Sequence, residues 1–140
     1  GMPEDDFDKM PQPFRNTTVE SVMAYMKAQF SYWTEDETAC NFRRMLTLEQ
    51  YRNPEMANLY QKVLASGPVN YIEDLFREMM LSGTWLEGSP RQMAVEFFAP
   101  FYLLLSMSDA ASGKEEKEKV AVLFTTHLEC FVETYAAKMP

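Results

Sequence analysis

The sequence predicts an all-α fold, a bundle of five to six antiparallel helices. Apolar residues recur every three to four positions along most of the chain, which is the period of an amphipathic helix. No long segment alternates apolar and polar residues, and no Asn-Gly or Asp-Gly hairpin turn occurs, so strands are not indicated. The segments between the helical stretches are short, which favours antiparallel neighbours.

The chain has 140 residues, enough for one domain with its own core. Its formal charge is −8, and Arg43-Arg44 is its densest basic spot. Nucleic-acid binding usually requires a basic face. We therefore expect no nucleic-acid binding through this chain itself.

The sequence shows no targeting or membrane signal. The N-terminus is acidic and contains several prolines, unlike a signal peptide. The most apolar stretch, Phe97 to Leu105, is shorter than the roughly 20 residues that span a bilayer. Two distant cysteines, Cys40 and Cys130, form neither a zinc site nor a disulfide framework. We expect a cytoplasmic protein without membrane contact.

The chain divides into an acidic, proline-rich tail at residues 1–16 and a helical domain at residues 17–140. The tail has little helical pattern. In the domain, four cap residues are each followed three positions later by Glu or Gln, the spacing of a capping box. They are Thr17, Thr34, Ser89 and Ser112. Asn53-Pro54 predicts a fifth helix start, because Asn caps and Pro fits the first helical position.

Three positions are expected to interrupt helices. Ser66-Gly67-Pro68 lies within a stripe that can be drawn from Leu64 to Met79, which favours a kink over a break. Gly83 is suited to end a helix. Pro100 lies inside an apolar helix, where we expect a kink.

The helix from Met93 to Leu105 is apolar on nearly every side, whereas a surface helix of a monomer needs one apolar stripe. Either it is the central helix of the domain, or its second side meets a partner. The broad apolar band of the last helix favours the partner, because two such helices and their copies would form a four-helix dimer interface. The expected interface residues are Phe97, Phe101, Leu104, Leu105, Val120, Phe124, His127, Leu128, Phe131 and Tyr135.

Five segments resemble the C-terminal domain of TetR-family transcriptional regulators in their order and spacing. They are residues 43–49, 53–56, 83–94, 97–104 and 127–131. The proline inside the apolar helix also fits that pattern. The resemblance covers about residues 17 to 138 and rests on apolar patterns around a few Gly and Pro positions.

The resemblance implies that the middle helices bind a small molecule and that the last two long helices form a homodimer. In such regulators, effector binding changes the spacing of two N-terminal helix-turn-helix DNA readers, and the protein leaves its operator. No helix-turn-helix segment precedes Thr17 in this sequence. The chain is then either a fragment with Met2 an internal residue, or a stand-alone sensor or dimerisation partner.

Effector sites in helical bundles are apolar cavities with a few polar groups, so we expect a small apolar or amphipathic ligand. The pocket candidates are the large residues of the middle helices: Trp33, Phe42, Met45, Tyr60, Tyr71, Phe76, Met79, Met80, Phe98 and Tyr102. Such a stripe is more often part of an ordinary core. Arg43, Arg44, Glu49 and Glu96 are the charged groups that could orient a ligand, and Glu96 needs a partner or water.

Two other functions remain open. One is a helical homodimeric interaction module with no ligand and no DNA-binding role. The other is an enzyme, for which the sequence offers no paired-carboxylate, triad, metal or phosphate-loop motif. Cys130 and His127 are spaced i, i+3 but have no supporting third group. We expect no catalysis, no metal and no cofactor.

Overall fold

The computed structural model describes residues 17–138, and the predicted tail at residues 1–16 lies outside them. The all-α class is confirmed, because this part of the chain consists of six helices with one isolated β-bridge. The helices are α1 (Val19–Glu35), α2 (Glu37–Glu49), α3 (Pro54–Leu64), α4 (Ser66–Leu81), α5 (Pro90–Ala110) and α6 (Gly113–Tyr135).

Helix α5 lies at the centre of the bundle. It packs against α4 on one side and α6 on the other, and α1 contacts both α5 and α6. Helices α2 and α3 connect α1 to α4 around the outside. Many core contacts are aromatic. The ring centroids of Phe30 and Phe124 of α6 are stacked 4.7 Å apart, and those of Phe97 of α5 and Phe131 are 4.8 Å apart.

Helix α5 is also the one described helix with the length and apolar composition to cross a membrane. Of its most apolar window, 44% is buried inside the bundle. A central core helix satisfies the same criteria, because its inner face must be apolar. Its position between α4 and α6 accounts for the apolar residues of its inner face.

Two of the predicted helix starts are confirmed. The Asn53 side chain accepts hydrogen bonds from the amides of Glu55 and Met56 at 2.9 and 3.4 Å. Pro54 takes the first helical position, where its missing N–H costs nothing. The Ser89 hydroxyl accepts from the Gln92 amide at 3.2 Å and caps α5.

Two predicted caps near α1 are wrong by one or two residues. Helix α1 is capped by Thr18 instead of Thr17, with Ser21 completing a reciprocal capping box. The extended backbone of Thr18 lets its hydroxyl accept from the Ser21 amide at 3.0 Å. Asp36, not Thr34, begins α2 by accepting from the Ala39 amide at 2.9 Å. The Thr34 hydroxyl instead donates to the Phe30 carbonyl within α1.

The predicted capping box at Ser112 is also wrong. Ser112 precedes α6, but its side chain makes no capping hydrogen bond. Its backbone amide donates instead to the Glu116 carboxylate at 2.8 Å. A carboxylate in the first turn satisfies a free amide and also complements the positive end of the helix dipole.

The chain breaks at Ala65 instead of kinking at Gly67-Pro68. Ala65 leaves the helical region, with φ −126° and ψ −98°, and α4 begins at Ser66. Pro68 therefore lies in the first turn of α4, where backbone N–H groups have no intrahelical partner. A continuous helix would have placed the proline ring against the Leu64 carbonyl. The apolar stripe across the junction is real, but two helices produce it.

Gly83 ends α4 as predicted. It has φ +79°, a conformation that favours glycine. Its amide donates to the Met80 carbonyl, and the Thr84 amide donates to the Met79 carbonyl at 2.9 Å. These two bonds form a Schellman motif, which satisfies the last carbonyls of the helix.

The loop between α4 and α5 is fastened to the end of α6. The Leu86 amide donates to the Tyr135 carbonyl at 2.8 Å, and the Ala137 amide donates to the Thr84 carbonyl at 3.0 Å. Trp85 lies between them, 3% exposed, and stacks on Phe76 and Phe131. We call this pair of backbone hydrogen bonds the C-terminal clip.

Candidate ligand cleft and dimer surface

Eight of the ten predicted interface residues lie in the chain's own core. Each is at most 7% exposed, on the inner faces of α5 and α6. They are Phe97, Phe101, Leu104, Leu105, Val120, Phe124, Leu128 and Phe131. Their assignment to a partner surface is therefore corrected: a side chain that already fills this core cannot also meet a second copy.

The other two predicted interface residues, His127 and Tyr135, are half-buried and bind α5 directly. His127 Nε2 lies 2.8 Å from the Phe97 carbonyl oxygen, and a ring N–H there donates to it. The Tyr135 hydroxyl donates to the Glu96 carboxylate at 2.9 Å. That hydrogen bond raises the pKa of Tyr135. Glu96 thus has an intramolecular partner and does not face a ligand cavity.

The outward faces of α5 and α6 carry a different set of apolar side chains. On α5 these are Val95, Leu103 and Met107, and on α6 they are Val122 and Leu123. Leu103 is 61% exposed and Val122 is 62% exposed. Positions 95, 99, 103 and 107 recur every four residues and lie along one side of the helix. We call the five side chains the outer apolar stripe.

Three of the predicted pocket residues line a small cavity between α1, α3, α4 and α5. They are Trp33, Tyr71 and Phe98. The cavity holds about 20 Å³, roughly the space of one water molecule. As the structure stands, it has no room for an organic effector.

Two further predicted residues, Tyr60 and Tyr102, line a larger cleft between α2, α3 and α5. Its volume is about 490 Å³, within the range of roughly 300–1,000 Å³ typical of ligand sites. The remaining lining residues are Arg43, Arg44, Thr47, Leu48, Leu64, Leu105, Ser106 and Asp109. We call this space the arginine cleft.

The other five pocket candidates line neither space. Phe76 and Met79 are fully buried core residues, Phe42 and Met80 are half-buried, and Met45 is 38% exposed. The charged candidate Glu49 pairs with Arg52 at 3.9 Å instead of facing the cleft. Helical spacing therefore does not distinguish the large residues that fill the core from those that line a cavity.

An ion pair between the buried Arg43 and the partly exposed Asp109 forms one wall of the arginine cleft. Arg43 is 5% exposed and donates to both carboxylate oxygens of Asp109, at 2.7 and 2.8 Å. It also donates to the Trp33 carbonyl from Nε and Nη2 at 3.3 and 3.1 Å. Arg43 thereby connects α1, α2 and α5 with one side chain.

Arg44 shares the same carboxylate. Its Nη2 donates to Asp109 at 3.0 Å, and its side chain is 46% exposed. Burial raises the pKa of Asp109, but the hydrogen bonds and charges of Arg43 and Arg44 outweigh burial, and the pKa lies below its ordinary value. Asp109 is therefore ionised at neutral pH and balances one of the two guanidinium charges.

The hydroxyl of Tyr102 is buried and has no hydrogen-bond partner. Burial, with a smaller contribution from nearby Tyr60, raises the pKa of Tyr102 far above its ordinary value. Burial likewise raises the pKa of Tyr60. Tyr102 therefore stays a neutral phenol whose buried O–H donor has no hydrogen-bond partner.

Sequence reasoning did not find Asp109 or Ser106 as lining residues. Asp109 lies 66 positions from Arg43, so no local pattern connects them. The pair Arg43-Arg44 was the available signal, because a guanidinium on an otherwise amphipathic helix needs a carboxylate if it is buried.

Among residues 17–138, no three His, Cys, Asp or Glu side chains are grouped as a metal site would need. Cys40 is buried, with its thiol 3.2 Å from the Trp33 carbonyl oxygen, whereas Cys130 is exposed. Comparisons of the chain with protein-family models, curated proteins and solved structures found no match. Two features of the described residues carry functional information: the arginine cleft and the outer apolar stripe.

Proposed function

We propose that the chain is the ligand-sensing and homodimerisation domain of a TetR-type transcriptional regulator. It binds a small apolar or amphipathic effector, acts in the cytoplasm, and contacts DNA only through a separate N-terminal reader. The observation that carries this proposal is the outer apolar stripe on α5 and α6. These are the two helices through which the TetR resemblance implies dimerisation.

The stripe favours a second copy of the chain as the partner. Helices α5 and α6 already fill the core with their inner faces, yet Leu103, Met107 and Leu123 remain 61%, 40% and 50% exposed. Several exposed apolar side chains on two neighbouring helices are typical of an interaction surface. A two-fold axis would set each stripe against its copy and form a four-helix interface.

The arginine cleft supports the ligand-sensing part of the proposal. It combines apolar walls with a few polar groups, which is the usual chemistry of a small-molecule site. It also lies beside α5, so an occupant would contact the same helix that carries the outer apolar stripe. Tyr102 and Ser106 of α5 line the cleft, and the stripe residues Leu103 and Met107 directly follow them, about 100° further round the helix. Adjacent ligand and dimer surfaces on one helix suit a sensor.

The second candidate is a homodimeric interaction module with no ligand. The observation that favours it is the small size of the cavity among α1, α3, α4 and α5, which holds only about 20 Å³. Both candidates require a dimer, and only the regulator requires an occupied cleft. Binding measurements therefore separate them after the oligomeric state is known.

The first test is the solution mass by multi-angle light scattering. The chain mass is 16.2 kDa, and the proposal expects twice that value at micromolar concentration. A single-chain mass would contradict both the regulator and the interaction module.

A substitution at the centre of the stripe tests the surface itself. Leu103→Glu is expected to weaken the dimer by about a hundredfold, because it would place an unpaired charge in the interface. Helical content by circular dichroism should stay unchanged, because Leu103 is 61% exposed in the single chain. The measurement is the dimer dissociation constant by sedimentation.

Leu81→Glu is the matched control, because Leu81 is an exposed leucine at the end of α4, 77% exposed and outside the stripe. It should leave the dimer unchanged. Phe101→Glu should instead unfold the chain, since Phe101 is a core residue, 2% exposed. Wild-type dimerisation of Leu103→Glu would exclude the outer apolar stripe as the interface.

A further inference from the structure

We propose that the arginine cleft binds an organic monoanion, with its acid group at Arg44 and its apolar body along Leu64 and Leu105. This inference rests on the proposed function, because it names the chemical class of the effector. The cleft's charge balance, its unused hydrogen-bond donors and its apolar wall support this class.

The charges in the cleft leave room for one anion. Arg43 and Arg44 carry two positive charges, and Asp109 supplies one negative charge between them. The three groups together are therefore positive by one. A ligand with a single negative charge would neutralise the cleft, whereas a dianion would also be repelled by the Asp109 carboxylate.

Arg44 is the group able to receive the acid. Arg43 is occupied by Asp109 and by the Trp33 carbonyl. Arg44 donates one hydrogen bond, to Asp109, and remains 46% exposed. A guanidinium has five N–H donors in a planar fork that matches two oxygens of a carboxylate or sulfonate.

Tyr102 supplies the second polar contact. Its buried hydroxyl has no partner in the chain, and a buried polar group without a hydrogen bond costs free energy. An oxygen or nitrogen atom of the ligand that accepts this O–H would remove that cost. Arg44 and Tyr102 lie on α2 and α5, so one ligand would contact both helices.

The apolar walls of the cleft determine the size and chemistry of the rest of the ligand. Leu64 and Leu105 line it as buried leucines, and Leu48 stands at the exposed rim, 71% exposed. The volume of about 490 Å³ suits an aromatic or medium-chain aliphatic body. A small inorganic anion would leave these walls unused.

Two fluorescent probes with the same ring system test the class. One is 8-anilinonaphthalene-1-sulfonate, a monoanion, and the other is N-phenyl-1-naphthylamine, which lacks the sulfonate. The wild-type chain is expected to bind the sulfonate more tightly, at one site per chain. Arg44→Gln should weaken sulfonate binding about tenfold, the scale of one charge-assisted contact, and leave the neutral probe unchanged.

Arg77→Gln is the matched control. Arg77 lies on α4 with its side chain 48% exposed, close to the 46% of Arg44, and it is also paired with carboxylates. Its replacement removes the same charge at a residue that does not line the cleft. The affinity for both probes should stay at the wild-type value.

Tyr102→Phe tests the second contact without disturbing the ion pair. It should weaken sulfonate binding about fivefold, the scale of a neutral hydrogen bond. The melting temperature should not fall, because the lost hydroxyl has no partner in the free chain. The unchanged melting temperature shows that a weaker affinity reflects the contact and not the fold.

Each result decides the inference. Equal binding of both probes to wild type, or full sulfonate affinity in Arg44→Gln, would overturn the monoanion class, while one-site binding of the neutral probe would keep ligand sensing. Binding of neither probe would overturn the class and favour the interaction module. A monomeric mass would instead overturn the proposed function independently of either probe.

Discussion

Asp109→Ala is expected to lower the free energy of unfolding by about 3 kcal/mol at neutral pH, the low end of the scale for leaving a buried charge unpaired, because Arg43 is buried and Asp109 is 29% exposed. Arg43 would keep its charge with its side chain only 6% exposed, and it would lose both hydrogen bonds to the carboxylate. Its contacts with the Trp33 carbonyl would remain but carry no opposite charge. Urea denaturation of the two proteins measures the difference.

The Arg43–Asp109 pair also predicts that the free energy of unfolding depends on pH. The pKa of Asp109 is lower in the folded chain than its ordinary value, so ionised Asp109 stabilises the fold above the unfolded pKa of about 3.9. That contribution is lost as the pH falls through the lowered folded pKa. The stability difference between wild type and Asp109→Ala should therefore shrink in acid.

Asp74→Ala is the control for this prediction. Asp74 also pairs with an arginine, Arg77, at 2.9 Å, but its side chain is 62% exposed. Exposed pairs contribute about 0.5 kcal/mol. If Asp74→Ala and Asp109→Ala lower the free energy of unfolding equally, the burial of Arg43 does not determine the effect of losing its partner.

Gly67→Ala is expected to destabilise the fold by about 3 kcal/mol, the upper range for overpacking. A Cβ at this position would collide with the Lys62 carbonyl oxygen and lie 2.8 Å from the carbonyl carbon. Both atoms are backbone, so the clash is relieved only by moving the junction between α3 and α4. Such a movement would disturb Pro68, Leu64 and the cavity that they line.

Gly88→Ala is the matched control. A Cβ there would meet only the flexible end of Met93, at 3.4 Å, and Gly88 does not have a positive φ. The stability of this variant should stay within about 0.5 kcal/mol of wild type. Thermal unfolding of both alanine variants measures the contrast, and a neutral Gly67→Ala would mean that the junction can shift without cost.

Much of the fold follows from local chemistry in the sequence. The helix start at Asn53-Pro54 and the helix end at Gly83 depend on residues within one turn, and both appear in the structure as predicted. The starts near Thr17 and Thr34 were misplaced, because Thr18 and Asp36 offer equally good capping oxygens close by. Which of two neighbouring residues caps a helix depends on how that helix packs. The spacing of residues along the chain does not give this information.

The direction of the apolar faces was harder to predict. Helix α5 is apolar nearly all round, and its composition does not say which half enters the core. Phe97 and Phe101 are buried, while Leu103 and Met107 are exposed. Phe97 and Phe101 pack against aromatic rings on α1 and α6. Which side of α5 is buried therefore depends on helices that are distant in sequence. The Arg43–Asp109 pair was missed for the same reason.

The C-terminal clip gives α5 and α6 a second connection, at the end opposite the turn that joins them. At one end the two helices are joined by the short turn at Ala111 and Ser112, and at the other by the bonds of Leu86 and Ala137. The clip bonds the loop that precedes α5, and only residues 87–89 separate Leu86 from the first residue of α5. A large movement of α5 along α6 would therefore stretch this short connection or break the clip. A change of shape across the outer apolar stripe would therefore act on two helices whose ends are connected, so that movement of one is passed to the other.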